Sequence, residues 1–180
     1  ALRYPPDQRL ESFVDAPEGV IAHLHALAQV QGADWLYLAG ATGTGKTHLA
    51  LALCAATEAA GLRAAYLPMI AASGRLRHAL DAGVRDDEVA LFDFHNRARS
   101  AGLNVLYTAR AAPDALGLEL PDLRSRLSQC IRAALPTPDD ESRREILRDR
   151  AQRRGLVLED AAVDWLLTRT DRDLGSLVLL

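Results

Sequence analysis

Lysine is almost missing from this sequence. Of 21 basic residues in 180, Lys46 is the only lysine and the others are arginines. A chain that uses arginine for surface charge keeps a lysine where a compact ammonium on a flexible stem serves better than a planar guanidinium fork. Cysteine is scarce as well. Cys54 and Cys130 form no CxxC pair and sit among apolar residues, which argues against a disulfide scaffold or zinc ribbon and for two small buried hydrophobes in a reducing compartment. The five histidines (His23, His25, His48, His78 and His95) show no metal-ligand spacing, so solvated or packed imidazoles are the expectation. Positive charge is not in excess either. A net charge of −3 gives the whole surface no electrostatic reason to bind nucleic acid, and little direct binding is expected. No apolar run approaches the ~20 residues of a membrane helix, and no secretory signal is read. A cytoplasmic protein without a membrane partner is expected.

What is present is ordinary for a globular chain: 49% apolar and 25% charged residues. Asp15 and Glu18 stand at capping-box spacing before the amphipathic run of Val20, Ile21, Leu24, Leu27 and Ala28, predicting a helix that ends near Gly32. Residues 35–39 form a short apolar run suited to a buried parallel strand. A helical stretch follows over 47–60, then a second strand over 63–69. Helices are predicted over 72–80 and 86–99, and a further buried strand over 103–108. Such alternation predicts α/β architecture, a parallel, doubly wound sheet flanked by helices. Beyond Leu135 no strand signal remains. Thr137 as N-cap and Pro138 in the first turn start a helix running to about Arg153, and two more helices are predicted over 159–168 and 171–180. The chain therefore divides into an α/β domain over 1–136 and a small helical lid over 137–180. Trp35 and Trp165 are expected as packing anchors.

The chemistry is concentrated in one loop. Gly40-Ala41-Thr42-Gly43-Thr44-Gly45-Lys46-Thr47 matches G-x-x-x-x-G-K-[ST] between a predicted strand and a predicted helix, the context this phosphate-binding motif requires. Its glycines let successive backbone N–H groups point into one concave nest, and the following helix adds its positive dipole end. Lys46 can reach the β- and γ-phosphates of ATP or ADP, and the Thr47 hydroxyl can ligate Mg²⁺.

Further stretches carry a family resemblance. Phe92-Asp93 with Asn96-Arg97, the strand end over 108–113, the run Leu120-Pro121-Asp122-Leu123-Arg124-Ser125-Arg126-Leu127, and Asp171-Arg172-Asp173-Leu174 together resemble the AAA+ ATPases of the DnaA branch. Within that branch the chain is most similar to the regulatory homologues that inactivate the replication initiator DnaA. The resemblance implies an AAA+ sheet with a helical lid, and it implies roles. Arg126 would be an arginine finger acting in trans, Thr108 a sensor 1 residue, and Arg172 a sensor 2 residue reaching the nucleotide of its own subunit. The bland alternative for Arg126 and Arg124 is surface charge ahead of a strand. Implied partners are DnaA, the DNA-loaded sliding clamp and a possible second copy of the chain. The alternative function is a DnaA-type initiator or helicase loader acting on DNA. No helix-turn-helix domain and no N-terminal clamp-binding peptide is read in the sequence.

One departure stands out. A P-loop NTPase needs an acidic Walker B strand to organise Mg²⁺ and water. The only apolar run ending in an acid is Val89-Ala90-Leu91-Phe92-Asp93, and the residues after it continue helically, so Asp93 is not assigned that role. The expected place for the strand lies between Leu80 and Asp86, where there is no room for one. Two explanations follow: a protein that lacks Walker B and binds nucleotide without hydrolysing it, or a strand omitted between Leu80 and Asp86. The second is the expectation, since loss of a central strand would open the core.

Overall fold

Alternating side chains on one short strand organise the molecule, seen in a computed structural model that describes residues 9–29, 32, 34–68 and 84–169. Strand β1 (Leu36–Ala39) is central in a parallel sheet, flanked by β2 (Leu106–Ala109) and β3 (Ile131–Ala134) in the order β2-β1-β3. Leu38 lies opposite Thr108 on one side and Ala133 on the other. Because successive side chains of a strand face opposite ways, Leu36 and Leu38 enter one core and Trp35 and Tyr37 the other. The first core adds Leu24 and Leu27 of helix α1 (Val20–Gln29) and Leu49 and Ala52 of helix α2 (Lys46–Ala59). The second adds Ala98 of α3 (Val84–Ser100) and Leu123 and Leu127 of α4 (Pro121–Ser128). Each fully buried leucine contributes about 1.5–3 kcal/mol of transfer free energy, so a strand of four residues holds two helical layers in place.

After β3 come α5 (Asp140–Arg153) and α6 (Asp160–Arg169), which pack together; Leu147, Ala151 and the fully buried Val163 are their buried apolar residues. Arg144–Asp164 (3.0 Å) and Arg148–Asp160 (2.7 Å) bridge the two helices at the surface; such exposed pairs are worth little. No helix among the described residues is long and apolar enough to cross a membrane.

Several expectations are corrected. Residues 63–68 are irregular rather than a strand. Their composition is strand-like, but a strand exists only through its ladder, and none of the three described strands pairs with them. β2 is only half-buried, with Thr108 exposed, because β2 is an edge of the described sheet. The cap of α5 is Asp139 rather than Thr137: its Oδ1 accepts from the Ser142 N–H at 2.8 Å. Asp15 does not cap α1, which begins five residues later. It takes a left-handed φ of 55° and its Oδ2 meets the Ser142 hydroxyl at the start of α5. Trp35 is buried as expected, whereas Trp165 is 55% exposed. Asp93 lies within helix α3, in line with its exclusion from the Walker B role. The expected helices over 72–80 and 171–180 lie outside the described residues, as do residues 80–83 of the Leu80 to Asp86 stretch where a strand was inferred to be omitted, while Val84 to Asp86 open helix α3.

Candidate functional site

The glycine-rich loop leaves the carboxyl end of β1 and turns directly into α2. Gly45 is the N-cap of that helix with φ +86°, and Gly43 has φ +84°, a left-handed conformation open to glycine at little cost. Gly40 is required for space: a Cβ there would come within 2.6 Å of Thr44 Oγ1 and 3.0 Å of the Leu135 carbonyl oxygen. A Cβ on Gly45 would run into the ring of Phe13. The N-cap makes no side-chain hydrogen bond, so the first amides of α2 are uncapped and concentrated where the helix dipole is positive. Thr44 is buried and its hydroxyl donates to the Ala41 carbonyl at 3.0 Å, bracing the loop from within.

Lys46 curls over this nest. Its Nζ donates to the carbonyls of Gly40 (2.7 Å) and Ala41 (2.5 Å) and lies 3.3 Å from Thr44 Oγ1. Partial burial pushes the Lys46 ammonium below its ordinary range, and the nearby cation of Arg110 pushes it further. Arg110 follows β2 directly, where the Gly40 N–H bonds the Ala109 carbonyl at 3.1 Å. Two cations thus stand at the carboxyl ends of adjacent strands, beside a row of uncapped amides. An anion is the ligand such a place favours, and a polyphosphate supplies several charges at once. The cradle, the uncapped helix end and the lysine all fit a nucleotide's phosphates. Thr47 is exposed in the first turn of α2, where its hydroxyl could meet a cation. Among the described residues no cluster of His, Cys, Asp or Glu could hold a metal.

The segment before α1 closes the loop from outside. Phe13 packs on Gly45 and its ring lies 5.7 Å from that of His48. His48 Nε2 lies 3.0 Å from the Arg9 carbonyl and 3.3 Å from Ser12 Oγ. The same segment reaches Ser142 through Asp15. Sequence reasoning missed Phe13, His48 and Arg110 as loop neighbours. For His48 a signal existed, since it stands two residues after Lys46 on the same helix.

The other site residues of the sequence reading fall in different places. Arg126 is on α4, half-buried against the second core, with no acidic partner among the described residues. Its positive charge reaches buried His95, whose imidazole is held below its ordinary range by burial first, then by Arg126 and Arg99. His95 stacks on Tyr107 and meets Trp35 edge-on, and its Nδ1 lies 3.2 Å from the Tyr107 hydroxyl. Tyr37 donates to the Ala111 carbonyl at 2.8 Å, and burial pushes its phenol up to about 12. Thr108 sits in the middle of β2, two residues before Arg110. Arg172 lies outside the described residues.

Sheet, loop and helical tail compose a fold shared with solved structures of DnaA. Solved structures sharing the fold include DnaA from Aquifex aeolicus bound to AMPPCP (TM-score 0.75, 19% identity, 98% of this chain and 65% of that one). Another is replication initiator DnaA bound to AMPPCP and single-stranded DNA (0.74, 18%, 97% and 63%). A third is domain III of Thermotoga maritima DnaA (0.72, 21%, 91% and 81%). The chain spans a little under two thirds of the first two. Residues 6–92 match the family model of IstB-like ATP-binding proteins, and residues 140–180 match that of the Hda lid domain. The resemblance read from the sequence is therefore borne out in the fold, which is like that of DnaA, and in a C-terminal stretch that matches the Hda lid model.

Proposed function

We propose that this chain is a nucleotide-binding regulator of replication initiation that lends Arg126 to ATP held by DnaA and so promotes its hydrolysis. The observation that carries the proposal is a half-buried guanidinium with no acidic partner among the described residues, on a short helix, in a chain whose lid resembles that of Hda. An arginine kept for internal structure would normally be paired. One kept for a phosphoryl group must remain unneutralised until the partner arrives. Residues 40–47 hold ATP or ADP in this reading, with the backbone amides and Lys46 on the phosphates and the Thr47 hydroxyl toward Mg²⁺. Bound Mg²⁺ would neutralise charge between the β- and γ-phosphates. AMPPCP in the DnaA relatives of the same fold supports the choice of an adenine nucleotide.

The chain's own nucleotide acts as a switch in this reading. The lid over 137–180 is the moving part, with Arg172 and Thr108 as the residues that report phosphate state. Intrinsic turnover is slow. The DNA-loaded sliding clamp is the setting in which the partner is met, and a second copy of the chain could present the same arginine. The test is hydrolysis of DnaA-bound ATP with and without this protein and the loaded clamp, using the natural chain and Arg126→Ala. Stimulation should be lost in the variant by a factor on the order of 10³–10⁵, while its own affinity for ADP is unchanged. Full stimulation by Arg126→Ala would return that residue to the surface.

A further inference from the structure

Helix α4 is eight residues long, and its N-cap, Leu120, has no side-chain oxygen to cap it. The capping carboxylate comes from α3. Glu88 Oε2 accepts from the Leu120 N–H at 2.7 Å and Oε1 accepts from the Glu119 N–H at 3.1 Å. Glu88 is 9% exposed, and no basic side chain pairs with it among the described residues. Burying a carboxylate without a cation is costly unless hydrogen bonds and dipoles replace its water. Two backbone amides and the positive end of α4 do so here. The arrangement is specific because both oxygens are used, on consecutive amides.

Downstream of that grip α4 has two more fixed points, Leu123 and Leu127, buried at 0% and 3% exposure. Arg126 lies between them in sequence, and no acidic side chain among the described residues pairs with it. Its direction is whatever the helix gives it. With Glu88 removed, the helix keeps its apolar face but loses the bond that sets its tilt and rotation about that face.

We infer that Glu88 is a positioning residue for Arg126: its two-amide clamp on the start of α4 aims the guanidinium at the partner's phosphates. The inference rests on the reading of Arg126 as a finger given above. Positioning matters because a displacement of about 1 Å can cost on the order of a hundredfold in rate, whereas binding to the partner spreads over a whole surface.

The experiment is the partner's ATP hydrolysis as a function of this protein's concentration, for the natural chain, Glu88→Gln, Glu88→Ala, Arg126→Ala and the double variant Glu88→Gln/Arg126→Ala. Glu88→Gln keeps the shape and one acceptor oxygen, so it remains informative if Glu88→Ala fails to fold. The expected result for Glu88→Gln is a plateau rate lower by about tenfold to a hundredfold. The half-saturating concentration and ADP affinity should be unchanged, the melting midpoint should fall by no more than the loss of one buried hydrogen bond allows, and the double variant should be no worse than Arg126→Ala alone. An unchanged plateau in Glu88→Gln overturns the inference. So does a fall that tracks melting or ADP affinity, or one that persists in the absence of Arg126, because each would make Glu88 merely structural. Should Arg126→Ala stimulate fully, the finger reading itself fails, an outcome distinct from the others.

Discussion

Gly45→Ala tests how the segment before α1 is coupled to the phosphate loop. Two penalties are expected. Gly45 has φ +86°, and a residue with a Cβ held in that region costs about 1–2 kcal/mol. In addition, the new methyl would strike the Phe13 ring, whose displacement counts as overpacking at about 1–3 kcal/mol. The sum is about 2–5 kcal/mol, a large share of the stability of a small domain. Gly61→Ala is the internal control. Gly61 has φ +80°, but a Cβ there meets nothing within 4 Å, so only the first penalty applies. The steric part should vanish in a Phe13→Ala background, where Gly45→Ala would cost no more than Gly61→Ala. The cycle then yields a coupling of about 1–3 kcal/mol between residues 13 and 45. Urea unfolding of the four cycle members plus the control gives the energies, and ADP titration of the same proteins reports the loop. If Gly45→Ala costs no more than Gly61→Ala with Phe13 in place, Phe13 does not press on the loop and the reasoning fails.

Lys46→Ala should lose ADP affinity by more than about tenfold, read by calorimetric titration. Its melting midpoint should move little, since two carbonyls left exposed to water cost only about 1–2 kcal/mol. His95 predicts an acid-side loss of stability. Its imidazole is held below its usual range in the fold and titrates near ~6.5 when unfolded. The unfolded chain therefore takes up the extra proton first. Stability should be full above that pH and fall below it by up to ~1.4 kcal/mol per pH unit. His95→Phe should flatten the profile, and equal slopes in the two proteins would refute the assignment. Asp139→Ala should lower the thermal midpoint, and Asp139→Asn should largely restore it, because the Ser142 amide needs an acceptor more than a charge. That amide holds the Asp139 carboxyl below the usual carboxylate range. Its share of stability is thus present above about pH 4 and lost as pH falls through the lowered value.

The features legible in the sequence were those set by neighbours along the chain. The apolar run over 35–39, the glycines after it and the helical stretch beyond give β1, the loop and α2 almost to the residue. Residues 63–68 misled because strand composition says nothing about whether a partner strand exists. Asp15 and Thr137 misled because each is a competent cap locally, and a competitor decided: Asp139 took the Ser142 amide, and Ser142 in turn drew Asp15. Glu88 could not be found at all. A glutamate in a helix that caps another helix thirty-two residues on leaves no trace in spacing. Arg110 was hidden for a similar reason, since parallel pairing of β1 with β2, rather than any motif, brings it toward Lys46.

Placing the phosphate loop on a central strand has a consequence for how the chain matures on the ribosome. Gly40 rests against Leu135, whose N–H bonds the Ala39 carbonyl at 2.7 Å. Neither contact can form until synthesis has passed β3, long after residues 40–47 have emerged. Closing so long a loop is slow, because its entropy must be spent before the pairing returns anything. Until then the strand beneath the loop lacks one flank, and the nest above it lacks the wall that fixes Gly40. A nascent chain would therefore carry the whole glycine-rich motif, yet the loop would take its final shape only as Leu135 docks, a late event in the birth of the protein.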